Sequence, residues 1–471
     1  MSQPIRQLTQ PPTSLKSKNN PEDSWLSQYL HILNLVCGQK WCLGSCCFEN
    51  RLKLSAFRDY SVSFSCQVDP EKTSIPEFCF PDKDVLIPVT KYDSENFSFV
   101  LTSCDGRRDY GYCKRMLPPG RGARLPEVIC IVSPLGAHTL YTQVLDHAEK
   151  RRNVSNDYVM ELIAATYGKP LPCLGRSIDV NSMVSYHDYG SLYVGKSFKF
   201  QNCLKLVNFE YLFSCLGIEN VLQVFSAILL ERRTLFSASK LSTLSNCIHA
   251  LAGLLYPFQW QHTFIPVLPA ALLDITCAPT PYIIGIMSPY LPQIDDLPTE
   301  EVLIIDLDKA CLLRTCDDET TILPRKLQKE VYLNHLQLSL PMYISDGQKN
   351  VLISEAFVRL FVESIGHFEE HIGVQQDGKK VFQKDSFCKA VSSKSLRMFL
   401  EWFCETQMFH IFIKRFSFLL GLFDARISEY KQELASMPPT TWNNFREKLR
   451  NIGKAIKTNI KSAGDQKKKA T

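Results

Sequence analysis

The most explicit chemical pattern in the sequence is Gly190-Ser-Leu-Tyr-Val-Gly195-Lys196-Ser197, which satisfies G-x-x-x-x-G-K-[ST]. A loop of that kind cradles phosphate with backbone N–H groups, and it needs small interior residues, an apolar strand before it and a helix after it. Here Leu192, Tyr193 and Val194 fill the interior, Ser185-Tyr-His-Asp-Tyr189 before it is polar, and Ser197-Phe-Lys-Phe200 alternates as a strand does. A P-loop-like nucleotide hydrolase is therefore a remote alternative. Cysteines gather at Cys37, Cys42, Cys46 and Cys47 with His31 upstream, but zinc ligands come as short paired spacings repeated at a distance, and no second pair follows. They read as buried or incidental thiols, and no specific motif supports lipid attachment at Cys46 or Cys47. His249 and His262 flank an aromatic stretch and could serve as general bases, yet no nucleophile or paired carboxylate lies near them in the sequence. The patterns G-x-S-x-G, H-E-x-x-H and G-x-G-x-x-G after a strand are absent. The expectation is no catalytic residue, no cofactor and no metal.

Stepping out to the whole chain, 471 residues correspond to about three domains at roughly 150 residues each, or to two elaborated ones. Hydrophobic residues at 45%, charged at 21% and aromatic at 11% describe a globular chain rather than a disordered or fibrous one. A net charge of +5 is too weak for a whole-chain nucleic-acid binder. The first twenty residues hold no apolar run of secretory type. The nearest approach to a membrane span, Met408 to Phe423, is split by Lys414 and Arg415. The chain reads as cytoplasmic, with its eighteen cysteines reduced.

Residues 1–20 are polar and read as a disordered arm. Around Trp25 to Val36 the pattern is helical. From Leu52 to Leu101 apolar residues alternate with polar ones, as at Tyr60, Val62 and Phe64, which predicts antiparallel strands. Glu127 to Ser133 reads as a buried strand, followed by helices over Leu135 to Arg152 and Tyr158 to Tyr167. The connector Gly168-Lys-Pro-Leu-Pro-Cys-Leu-Gly175 marks a lobe boundary. Beyond Phe209, helices (Ile218 to Glu231, Leu241 to Tyr256) alternate with strands (Arg233 to Ser237, Phe264 to Leu268, Tyr282 to Met287, Glu301 to Leu307). That alternation predicts an α/β layer on a largely parallel sheet. After Val351 the chain reads as almost wholly helical. The densest unusual segment, Tyr256 to Pro269 with Cys277 to Gly285, is either a rigid contact surface or the closure of a core.

Ile218-Glu-Asn-Val-Leu, Leu229-Leu-Glu-Arg-Arg-Thr-Leu-Phe236, Cys247-Ile-His-Ala-Leu, Leu255-Tyr-Pro-Phe-Gln-Trp-Gln-His262, Ile265-Pro-Val-Leu-Pro269, Ala278-Pro-Thr-Pro-Tyr282 and Val302-Leu-Ile-Ile-Asp-Leu-Asp308 resemble, in order and spacing, the central part of a DENN domain. Leu125 to Ser133 with Leu145 to Arg152 resembles the family's upstream section, and Val351 to about Tyr430 its downstream section. The match is close to the second subfamily, whose short member it resembles in the brevity of its N-terminal arm.

The resemblance implies a tripartite module: a longin-like N-terminal lobe within 50–200, an α/β C-terminal lobe over 208–345 and a helical section over 350–432. It implies a guanine-nucleotide exchange factor without covalent chemistry that clamps the switch regions of a GDP-bound or nucleotide-free Rab GTPase. For the second subfamily the implied partner is the Rab nine pair of late-endosome to trans-Golgi trafficking. A non-exchanging Rab-binding scaffold is the alternative. Within the matching blocks, the expected Rab contacts are Phe236, Trp260, Pro266 and Tyr282 as apolar anchors and Asp306 as a polar one.

Beyond that module, over 440–471, Trp442, Phe445, Leu449, Ile452 and Ile456 recur at helical steps, with Lys454, Lys457 and Lys461 among the basic residues around them. A basic amphipathic helix there would lie on an anionic membrane, engage a partner or pack back on the lobes. Residues 442–471 carry a net +7 against +5 for the whole chain, so the remainder is slightly acidic at −2.

Overall fold

The computed structural model describes residues 31–33, 44–46, 75–103, 106–133, 136, 138–155, 158–159, 162, 208–338, 346–374 and 380–414. The phosphate-loop-like segment 190–197, the connector 168–175, Cys37, Cys42 and Cys47, the arm 1–20 and the basic stripe Trp442, Phe445, Leu449, Ile452, Lys454, Ile456, Lys457 and Lys461 lie outside them.

The first lobe is an antiparallel sheet of β1 (His31–Leu33), β2 (Gly44–Cys46), β3 (Glu95–Thr102), β4 (Arg108–Met116) and β5 (Glu127–Ser133), with β4 between β3 and β5 and with β1 and β2 on the far side of β5. Strand alternation splits the residues of β3 and β4 between two faces. Phe97, Phe99 and Cys113 pack with Ile75, Phe78 and Cys79 of α1 (Ile75–Cys79). On the other face Lys114, buried, holds Asp146 at 2.8 Å and Glu149 at 3.1 Å on α2 (His138–Arg152). Those two carboxylates outweigh the desolvation of the lysine and keep its ammonium above the ordinary range.

The second lobe is the α/β layer. Its sheet runs β10 (Cys311–Arg314), β9 (Leu303–Asp306), β6 (Thr234–Ala238), β8 (Tyr282–Met287), β7 (Thr263–Ile265), all parallel except β10. The predicted strand Tyr282 to Met287 coincides with β8, every residue of it buried, as a continuous apolar run in a parallel sheet requires. Gly285 fits its place because a Cβ there would stand 2.2 Å from the carbonyl oxygen of Pro266 and 2.8 Å from Leu244 of α4 (Leu241–Gly253).

Before β6 comes α3 (Phe209–Leu229), capped by the Asn208 side chain and broken at Gly217, whose φ of 73° ends one helical segment and starts the next. By length and composition α3, rather than Met408 to Phe423, is the described helix apolar enough to cross a membrane. It is instead largely buried: Phe225 meets Phe357 and Phe361 of α8 (Asp346–Ile365) edge-on or tilted. Between β8 and α8 lie the short α5 (Leu291–Asp295) and α6 (Glu319–Ile322), then α7 (Arg325–Leu338).

The section after α8 is not wholly helical. A two-stranded hairpin of β11 (Ile372–Val374) and β12 (Lys380–Phe382) precedes α9 (Lys384–Lys389), α10 (Lys394–Phe403) and a helix described over 407–414. Three-residue strands carry too little alternation to read from sequence. Phe258 anchors this section, its ring 4.9 Å from Phe361, 5.0 Å from Phe403 and 4.8 Å from Phe412.

Candidate functional site

The five expected contact residues are all buried, and that expectation is corrected: each packs or braces the second lobe. Phe236 sits mid-sheet between Gly285 and Ile305. Trp260 donates its indole N–H to the carbonyl of Thr263 at 3.0 Å, and Tyr282 its hydroxyl to the carbonyl of Thr276 at 2.8 Å. Pro266 is buried against Gly285. Asp306 ends β9, where its carboxylate accepts the backbone N–H of Asp308 and of Lys309, each at 3.0 Å, and pairs with the Lys309 ammonium at 3.0 Å. Burial raises its carboxyl, but these donors more than reverse that and leave it below the usual range. Ring-rich, proline-rich blocks therefore mark core closure here, the second of the two readings of Tyr256 to Pro269.

His249 belongs to a seam that joins the lobes. β3 is an edge strand, and α4 lies along it. The backbone N–H of Ser98 donates to Ser245 Oγ at 2.9 Å, covering a donor that the sheet leaves open. Ser98 Oγ is 3.0 Å from Ser245 Oγ, 2.9 Å from His249 Nε2 and 3.3 Å from His138 Nδ1, and the two imidazole centroids are 4.1 Å apart. Ser98 is 2% exposed, so this serine–histidine contact is closed to substrate. Burial drives His138 down to about 4, and burial with the neighbouring His138 drives His249 well below the ordinary histidine range. Both are neutral hydrogen-bonding groups near pH 7. At the head of the seam Glu95 accepts the backbone N–H of Ser242 at 3.1 Å. Lys240, at the N-cap of α4, makes no side-chain capping bond, so the first lobe supplies the cap.

His262 belongs to a second joint. Arg108 on β4 donates to the carbonyls of Trp260 at 2.8 Å and His262 at 3.1 Å, and its guanidinium lies over the Phe264 ring of β7. His262 Nε2 is 3.0 Å from Glu231, which also accepts the backbone N–H groups of Gln407 at 2.9 Å and Met408 at 2.8 Å. One carboxylate at the α3–β6 corner thus caps the 407–414 helix of the third section. Burial raises the Glu231 carboxyl, and the His262 and backbone donors outweigh it, holding it below the usual range.

The exposed part of this junction lies toward the carboxyl ends of β6, β8 and β9, where open α/β sheets form their crevice. Ser239 and Ser288 both donate to Asp308, at 3.0 Å and 2.9 Å, so that crevice is self-paired. Beside it runs the turn 81–85 of the first lobe. The carbonyl of Pro81 accepts the N–H of Ala270 at 3.1 Å, and Tyr290 is buried close to Asp82 and Asp84, which with burial raise its phenol. Val85, at the end of this turn, is 47% exposed and Ile87, just beyond it, 61%. A separate groove of 390 Å³ between α3, α6 and α7 is lined by charged and polar residues including Glu219, Arg325 and Lys329. A further cluster, Cys79, Cys113 and Cys130, brings three buried thiol sulfurs within 4.8 Å and could hold a soft metal ion. Burial keeps the Cys113 thiol protonated, in which form the three serve as compact apolar filler.

An edge strand docked by a helix, a parallel sheet of order β10-β9-β6-β8-β7 and a helical third section describe a protein class that sequence comparison identifies. Profiles of the uDENN domain, the DENN (AEX-3) domain and the dDENN domain match residues 65–116, 124–310 and 382–426. The chain belongs to the DENN-domain family. Within it, similarity falls on the second subfamily: 44% identity over 415 residues to DENN domain-containing protein 2A of Homo sapiens, covering 84% of this chain and 40% of that protein, and 43% over 396 residues to human protein 2B, covering 82% and 34%. Protein 2D of Mus musculus is 40% identical over 365 residues, 77% of each chain. The chain thus spans about a third of the length of protein 2B and most of protein 2D.

Proposed function

We propose that this chain is a guanine-nucleotide exchange factor for a Rab GTPase, of the Rab nine type on late endosomes. DENN-domain proteins are regulators of Rab GTPases, and the three-part family match over both lobes and the helical section carries the reading. Exchange requires no nucleophile or cofactor. A Rab holds GDP and Mg²⁺ through its phosphate loop and switch segments, so a partner with higher affinity for the nucleotide-free, switch-rearranged state weakens both ligands and lets abundant GTP refill the site. A rigid clamp stores that differential affinity better than a flexible one, and the Ser98–Ser245–His249 seam and the Glu231 joint supply rigidity. The Val85 and Ile87 pair, exposed at the lobe junction, provides an apolar contact for a switch segment in place of the buried Phe236, Trp260, Pro266 and Tyr282.

The test is release of fluorescent GDP from a panel of purified Rabs, Rab nine included. The expected result is acceleration on a restricted set, reduced about tenfold by Ile87→Ser with unchanged melting, as for an interface anchor. Binding without release would favour the scaffold. Failure to act on any Rab, with the chain folded, would sink the proposal.

The basic stripe from Trp442 to Lys461 gives such a factor a means of meeting a membrane-bound Rab on a peripheral, cytosol-facing surface. Co-sedimentation with anionic vesicles should weaken when residues 440–471 are removed; equal binding would dismiss the membrane role.

A further inference from the structure

We propose that Cys79, Cys113 and Cys130 form a binding site for trivalent arsenic, which they take from neutral arsenite and hold through three sulfurs. The site comes from strand register and helix docking. Cys113 of β4 and Cys130 of β5 stand directly opposite one another in the antiparallel ladder, and residues so placed point to the same face of a sheet. That face is covered by α1, whose last residue, Cys79, sets its sulfur 3.9 Å from that of Cys113. All three sulfurs lie within 4.8 Å of one another. Small side-chain rotations therefore gather them around one atom with the backbone in place.

Donor type, number and burial together select the ligand. Sulfur donors favour a thiophilic centre, and among the described residues no fourth His, Cys, Asp or Glu joins the three. Zinc closes a structural site with four ligands, but these side chains are at most 1% exposed and offer no open side for a water to complete the set. Monovalent copper held by three thiolates would leave two negative charges in the apolar core that these cysteines share with Ile75, Phe78 and Phe99, an expensive burial. Trivalent arsenic leaves none, because three thiolates balance it.

The chemistry is three successive ligand exchanges. In each, an As–O bond breaks, an As–S bond forms, and the thiol proton leaves with the displaced hydroxyl group as water. One arsenite and three thiols give one arsenic bound to three sulfurs and three waters, with no change in oxidation state. The thiols enter the reaction in the protonated form that burial imposes on Cys113. Arsenite is uncharged near neutral pH and as small as a short polyol, and it enters when α1, a helix of five residues, lifts from the sheet. Once bound, the arsenic staples α1 to β4 and β5.

The test titrates the full-length chain, kept reduced with a phosphine, with sodium arsenite near pH 7. Native mass spectrometry should show one species heavier by one arsenic and lighter by three hydrogens, and X-ray absorption at the arsenic edge should show three sulfur neighbours and no oxygen. In Cys79→Ala and in Cys130→Ala, each with unchanged circular dichroism, the arsenite needed for half-loading should rise by more than about tenfold, since a ligand contributes at least as much as the groups that orient one. The cysteines near the start of the chain are the internal competitors, so the double variant Cys42→Ser, Cys47→Ser should load as the parent chain does. This second arm decides even where the core variants do not fold. No arsenic uptake by the parent chain, an oxygen neighbour on the bound arsenic, full loading of a folded Cys79→Ala or Cys130→Ala chain, or loss of loading in the double variant would each overturn the proposal.

Discussion

Glu231 combines a costly backbone with an unusually busy side chain. Its φ of 54° lies in the left-handed region, which charges a non-glycine residue a penalty. Its carboxylate serves two helix-terminal N–H groups and one imidazole. Alanine at this position meets a similar backbone penalty, so Glu231→Ala isolates the side chain. Two backbone donors lose their acceptor and His262 loses a carboxylate neighbour, and the expected destabilisation is about 2 kcal/mol in urea unfolding. A change below about 0.5 kcal/mol would show that water replaces the carboxylate. The pH dependence has a defined sign. The folded carboxyl is held below the usual range, so its contribution is present above the unfolded value of roughly 4 and fades as pH falls through the folded one.

The docking of α4 along β3 is also weakened by acid, but in a higher pH window. His138 and His249 are neutral in the folded chain, with values depressed by burial, while in the unfolded chain they titrate near about 6.5. Below that pH the unfolded chain binds protons that the folded chain refuses. Stability is therefore undiminished above about pH 7 and falls as pH drops toward 4, by up to about 1.4 kcal/mol per pH unit for each histidine. Between about pH 6.5 and 5 carboxylates contribute little. In that window His249→Gln, which offers Ser98 an amide that does not titrate, should flatten the profile. An unchanged slope would assign the acid sensitivity to other groups. None of this seam was readable from the residues alone. Ser98 and Ser245 are 147 positions apart, and each looks like an ordinary small polar residue on its own element. The strand Tyr282 to Met287 was readable because a continuous apolar run bounded by prolines has few other uses. Phe236, Trp260 and Tyr282 misled because strand ends and rigid loops look alike whether they face a partner or a core.

The α/β layer emerged from periodicity, because strand–helix alternation repeats over many residues, whereas the joints between sections rest on single contacts from distant positions. Those contacts, Arg108 to the 260–262 loop, Glu95 to Ser242, Ser98 to Ser245 and Glu231 to residues 407–408, connect the first lobe, the second lobe and the helical section in series. A helix that borrows its cap from another lobe, and a strand whose open edge is covered by that helix, cannot be separated without cost to both. The lobes therefore constitute one cooperative folding unit. Expressed alone, the first lobe would present the bare β3 edge to other chains and tend to aggregate. Calorimetry of the full chain should show a single transition; two separate transitions would show that the lobes unfold independently.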